Sequence, residues 1–174
     1  SKIFDLNLNS DFTNNEKIFF SIKTQKDNAV ITTFYSDRAK PFVKKYKFIK
    51  GFEDGKLEYQ STIKKEVSNS NLIITDFKVS KVPALAQLLT LASLQGIADT
   101  LNGEGIRFES IEIKSNTKNN TINVEDLLAM GPAVSILMEG YIEKEKTISL
   151  RGTLVPATKL NAVIASIPLV GDIL

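Results

Sequence analysis

Apolar and polar residues alternate along most of this chain, and that alternation restricts its fold more than any other feature. Successive side chains of an extended strand point to opposite faces, so a period of two marks a strand with one buried and one wet face. Residues 17–23 (KIFFSIK) and 28–35 (NAVITTFY) carry the pattern on either side of the turn-like TQKD and predict a hairpin. Leu57, Tyr59 and Ile63 alternate with Lys56, Glu58, Gln60 and Thr62. Val134, Ile136, Met138 and Ile142 share one face of a later strand, and Ile148, Leu150 and Leu154 lie opposite Ser149, Arg151 and Thr153. Within residues 105–114 the apolar set changes phase, from Ile106 and Phe108 to Ile111 and Ile113. One inserted residue, a β-bulge, would account for the change and bend the strand. Together these segments predict an antiparallel meander with one apolar face.

Three segments break the alternation. Ala39, Phe42, Val43 and Tyr46 sit at helical spacing after Asp37, a cap candidate, with Pro41 tolerated in the first turn. Residues 83–101 begin at Pro83, an acceptable first helical residue. There Leu85, Leu88, Leu89 and Ala92 fall on one side of a helical wheel, and Leu94, Ile97, Ala98 and Leu101 on the other. A straight helix would need two buried faces. A break near Ser93, with Ser93 capping a second short helix, lets both halves face one layer. The third segment is 157–167, with Leu160, Val163 and Ile164 as its stripe, stopped before Pro168. Strands 28–35, 71–79 and 147–155 thus each run into a proline-bearing helix, at Pro41, Pro83 and Pro156. The first two return through glycine turns, Gly51 to Gly55 and Gly103 to Gly105. A sheet with one apolar face needs a cover, and such helices supply part of it.

The expected fold class is therefore α+β: a strongly curved antiparallel β-sheet, a meander that is partly barrel- or groove-like, with short helices on the apolar concave face. Its 174 residues fit a single domain spanning 1–174, and the apolar tail IASIPLVGDIL reads as a cut from a longer protein.

Composition removes several kinds of chemistry. With no His and no Cys, the imidazole base, the thiol nucleophile and the usual zinc and iron–sulfur ligand sets are missing. A net charge of +2, with Arg only at 38, 107 and 151, argues against nucleic acid as a partner. Glu143 and Glu145 alternate with Lys144 and Lys146 as solvated hairpin charges do, and Asp99 and Glu104 bracket a helix end. Gly103-Glu104-Gly105 follows a helix and opens a strand, the reverse of a phosphate-cradling loop, so positive φ at a helix C-cap is the expected role. Asn119-Asn120-Thr121 matches a glycosylation sequon and otherwise reads as a turn. The expectation is a protein with no catalytic residues, no metal and no cofactor. Lys40, Lys44, Lys45 and Lys47 surround the first helix, as in a basic helix resting on an anionic membrane surface, though such a face is more often merely solvated.

Residues 51–174 carry a further set of words: DGKLEYQSTI, DFKVSKVPALAQLLTLASLQGIADTLNGEGIRFESIEI, MGPAVSILMEGYIE and RGTLVPATKLNAVIASIPLVGDIL. In this order they resemble the C-terminal region of AsmA-like proteins, especially the YhdP-like branch. The resemblance implies the periplasmic part of a protein anchored in the inner membrane of a Gram-negative bacterium. It also implies an extended sheet with a greasy interior, and phospholipid movement towards the outer membrane as the role. Lipid acyl chains need a continuous apolar surface. The lipid-facing candidates are Leu57, Tyr59, Ile63, Leu85, Leu88, Leu89, Ile106, Phe108, Ile111, Ile113, Val134, Ile136, Met138, Ile148, Leu150 and Leu154. The expected partners are a phospholipid or other acyl-chain lipid and neighbouring segments of the parent chain. The alternative is a structural or assembly module of the envelope, its apolar face filled by helices and holding no lipid.

Overall fold

The computed structural model describes residues 4–13, 15–44, 50–143 and 147–157. Nine strands form one antiparallel sheet in sequence order: β1 (Asp5–Asp11), β2 (Lys17–Thr24), β3 (Val30–Ser36), β4 (Gly51–Lys64), β5 (Val67–Ser80), β6 (Ile106–Lys118), β7 (Thr121–Met130), β8 (Val134–Glu143) and β9 (Thr147–Pro156). The sheet is open, with β1 and β9 at its edges. Three short helices interrupt it among the described residues: α1 (Lys40–Val43) between β3 and β4, then α2 (Pro83–Leu91) and α3 (Gln95–Asn102) between β5 and β6.

The registers align inward side chains into rows that cross the whole sheet. One row runs Leu8, Phe20, Phe34, Tyr59, Leu72, Ile113, Leu127, Met138 and Gly152. The next runs Ser10, Ile18, Ser36, Leu57, Ile74, Ile111, Ala129, Ile136 and Leu154 by the same pairings. Towards the ends of β4–β6 that lead to the helices, Phe52, Phe77 and Phe108 stack across three strands, with ring centroids 5.4 and 5.5 Å apart. Leu89 and Leu101, both fully buried, press on this end from α2 and α3 and join one core with Ala39 and Val43. Each large side chain removed from water here contributes about 1.5–3 kcal/mol.

The phase change between Phe108 and Ile111 is real, but it is not a one-sided bulge. The β5–β6 register is the same above and below it, because β5 makes the matching jump from Phe77 to Ile74. β4 makes it as well, from Phe52 to Leu57 through Gly55. Asp54, Gly55 and Asp76 take positive φ at this level (63°, 84° and 54°), so paired strands reverse phase together and keep their apolar residues on one side. Gly55 is thus a kink inside a fourteen-residue strand rather than part of a turn, and Gly51 is that strand's first residue. True register shifts fall in β7 instead, between Lys114 and Ser115 on the β6 side and between Val124 and Leu127 on the β8 side.

Helix 83–101 does break at Ser93, by a different device from the one expected. Ser93 has φ 61° and is not a cap of α3, which starts after Leu94 without a side-chain cap. Its N–H donates to Thr90 O and that of Leu94 to Leu89 O, the paired bonds of a Schellman C-terminus. Both helices then bury one side, Ala86 and Leu89 from α2, Ala98 and Leu101 from α3, while Leu88 and Leu91 point outward. Asp37 does not cap α1 either; that position is Ala39, and Asp37 ties β2 to β3. Pro156 closes β9 opposite Val134 and so belongs to a strand. Of the two turn glycines, Gly105 has φ 88° and Gly103 has φ −92°. The third helix, 158–167 in particular, and Tyr46 lie outside the described residues.

Two substitutions test this backbone account. Ser93→Gly relieves a left-handed side chain and is expected to stabilise the fold by about 0.5–1 kcal/mol in urea denaturation. Gly55→Ala places a Cβ 3.0 Å from Phe77 Cβ and 3.3 Å from both Ala39 and Ile74, at positive φ. It is expected to destabilise by about 1–3 kcal/mol in the same assay.

Candidate functional site

Among the described residues, the helices cover only one end of the apolar face. Beyond them, towards the β4–β5, β6–β7 and β8–β9 hairpins, two more inward rows continue. The first is Leu6, Ile22, Thr32, Ser61, Ser70, Ser115, Val124, Gly140 and Leu150. The second is Thr24, Val30, Ile63, Ser68, Thr117, Ile122, Ile142 and Ile148. Neither row belongs to the packed core apart from its borders. On β7–β9 they form an apolar patch in which Ile148 is 71% exposed and Leu150 exposed, Ile122 and Ile142 are half-buried, and Val124 is buried among them. Its two rows and the Leu127–Met138 row span roughly 14 Å along the strands.

The middle of these rows is polar. Ser61, Ser70 and Ser115 stand side by side on β4, β5 and β6, with Ser70 Oγ and Ser115 Oγ 3.0 Å apart. Hydroxyls with few competing partners present donors and acceptors beside the apolar patch. What the arrangement offers is therefore an aliphatic surface bordered by hydroxyls.

The sixteen lipid-facing candidates divide between these regions. Leu57, Leu89, Ile106, Phe108, Val134 and Ile136 are buried in the core, against the chain's own side chains. Tyr59, Leu85, Ile111, Met138 and Leu154 are partly buried and pack on that core, and Ile113 is partly buried between Leu72 and Leu127 of the neighbouring strands. Ile63, Leu88, Ile148 and Leu150 are exposed, but Leu88 sits on the outer side of α2, so only three belong to the uncovered face. Sequence reading missed Ile122 and Val124, because Glu125-Asp126 breaks the alternation where β7 shifts register. The spacing of three between Val124 and Leu127 was the available signal. It missed the serine row altogether, since aligning it needs the registers of three strands.

Lys40 and Lys44 are exposed on and beside α1, while Lys45 and Lys47 lie outside the described residues. Asp99 accepts a hydrogen bond from Gln95 (2.7 Å) on the exposed side of α3. Glu143 ends β8, and Glu145 is outside the described residues. No group of three or more metal-ligating side chains occurs among the described residues. No helix among them is long and apolar enough to cross a membrane.

Groups with moved pKa values lie elsewhere, at strand ends and on the opposite face. The Tyr35 hydroxyl and then the Lys17 N–H (2.8 Å) donate to Asp37 and hold its carboxyl below the usual range, and the same bond raises Tyr35. Lys64 and the Ala29 N–H lower Asp27, and Lys78 lowers Glu53. Each partner favours the carboxylate in the folded chain. The chain matches no family model, no curated protein and no solved structure.

Asp37 makes a signed prediction. Its folded pKa lies below its unfolded value of 3.8, so its contribution is complete above that value and is lost as pH falls through the folded pKa. Urea midpoints measured from pH 7 to pH 2 are expected to fall in the acid range. In Asp37→Asn the midpoint at neutral pH is lower and the acid decline shallower.

Proposed function

We propose that this chain is a non-catalytic lipid-handling segment of a bacterial envelope protein, belonging with the AsmA-like proteins its sequence resembles. Acyl chains lie along Ile122, Ile142, Ile148 and Leu150, and headgroups stay wet beside the hydroxyls of Ser70 and Ser115. On this reading the sheet bows so that the helix-bearing face is concave, and α2–α3 close one end of a groove. The partners are a phospholipid or another acyl-chain lipid and adjacent segments of a longer chain. The setting is the periplasmic side of the inner membrane of a Gram-negative cell.

One observation carries the reading: the row that ends on an exposed Ile148 continues a face whose other end is a packed core. Exposed aliphatics that adjoin one another on a single face mark an interaction surface rather than scattered surface residues. The patch suits chains that slide along it better than a ligand held by polar contacts, because it has no charged side chain. The envelope-module reading, with a dry face throughout, is supported by the helix-covered end alone.

Purified protein extracted with organic solvent and analysed by mass spectrometry is expected to yield phospholipid. The double variant Ile122→Asn, Ile142→Asn, folded by circular dichroism, is expected to yield at least severalfold less. A wild-type chain that releases no phospholipid, and takes up none from vesicles, would sink the reading.

A further inference from the structure

The two edges of the sheet are protected unequally. β1 is seven residues long and carries Asp5 and Asp11 at its ends. Charge and short length are the usual devices that keep an edge from pairing with another chain. β9 is ten residues long, pairs in unbroken register with β8, and has one charged side chain, Arg151. That guanidinium is already engaged by Glu139 across the strand pair at 2.6 Å. Among the described residues β9 pairs only with β8, and its apolar residues nearest the hairpin, Ile148 and Leu150, are 71% and 37% exposed.

We propose that β9 is a self-recognition edge, through which two copies of this chain join antiparallel about a two-fold axis at Leu150. A two-fold normal to the sheet sets β9 against β9 and keeps both helix-bearing faces on the same side. Joining β9 to β1 of another copy is disfavoured by direction. In an antiparallel sheet of nine strands, β1 and β9 run the same way, so aligning the apolar faces would require a parallel junction.

Side-chain chemistry then selects the register. Centring the axis on Arg151 would bring two guanidinium groups directly opposite each other, which is unfavourable. Centring it on Leu150 pairs that residue with its own copy, Ile148 with Gly152, Ser149 with Arg151 and Thr147 with Thr153. Gly152 has no side chain, so Ile148 of the other copy packs over its backbone. The Leu150 pair and both Ile148 side chains leave water on one face, while hydroxyls and the Arg151–Glu139 pairs remain on the other. The contact is isologous and closes at the dimer instead of growing into a fibre. It goes beyond the lipid reading and does not depend on it, although the apolar patches of two copies would become continuous.

Sedimentation velocity over a concentration series tests the proposal, with circular dichroism and thermal melting as controls for folding. Wild type is expected to form a concentration-dependent dimer. Leu150→Lys and Leu150→Glu alone are each expected to be monomeric, with association weakened at least about tenfold, which is about 1.4 kcal/mol. An equimolar mixture of the two should recover a dimer, because opposite charges then meet at the axis. The chain has no native cysteine, so Leu150→Cys should also cross-link to its own copy under mild oxidation. Leu154→Cys should not, its counterpart lying roughly 27 Å away along the strands. Wild type that stays monomeric at every concentration overturns the proposal. So does a dimer undiminished by Leu150→Lys, a mixture that does not associate, or cross-linking at Leu154 as fast as at Leu150.

Discussion

The fold depends on a backbone constraint, the shared reversal of side-chain phase across β4, β5 and β6. Long strands in a twisted sheet would carry alternate residues to one face throughout their length. Here the chain spaces Phe52 and Leu57, Ile74 and Phe77, and Phe108 and Ile111 so that simple alternation fails. Positive φ at Asp54 and Gly55 in β4 and at Asp76 in β5 restores both members of the first two pairs to the core side, and β6, paired in constant register with β5, keeps Phe108 and Ile111 on that side as well. Because the reversal occurs at one height in neighbouring strands, hydrogen bonding resumes in the same register beyond it. The phenylalanine stack, and the helices resting on it, exist because those rings are kept on the side of the sheet that the rest of the core occupies.

The helices answer the same constraint. Residues 83–101 carry apolar groups on two sides of a wheel, and only a turn between two short helices lets both sides reach one sheet. A serine in left-handed conformation supplies that turn at some conformational cost. The cost is offset by the burial of Leu89 and Leu101, on either side of it. Local geometry and tertiary packing are therefore coupled at Ser93 rather than independent.

Much of the architecture was readable in the chain, because strand patterning is local. The 17–35 hairpin, the inward phase of Leu57 and Tyr59, and the break at Ser93 all follow from residues within a few positions of one another. What escaped depended on pairing between strands. The bulge expected near Ser110 was a cross-strand kink, and its proof lies in Gly55 and Asp76, which no single window connects to Phe108. Asp37 satisfied the pattern of a helix cap, but the Lys17 N–H and Tyr35 hydroxyl compete for its carboxylate, and tertiary bonds prevail. Likewise, patterning identified apolar residues on one face without telling which of them helices would cover. Six of the sixteen are core, and the exposed remainder was separable only once the rows were laid out.

Strand order matches chain order throughout the sheet. Each inner strand is stitched to its predecessor and its successor, each edge strand to one neighbour, and none reaches past them. Such wiring keeps sequence separation between partners small, which favours rapid, stepwise zippering over a slow global search. It also frees the architecture from a fixed size, as in repeat proteins whose units touch only their neighbours. Duplicating or deleting one hairpin would lengthen or shorten the sheet by two strands and leave every other pairing intact. A chain wired in this way can change its span over evolutionary time without inventing a new topology.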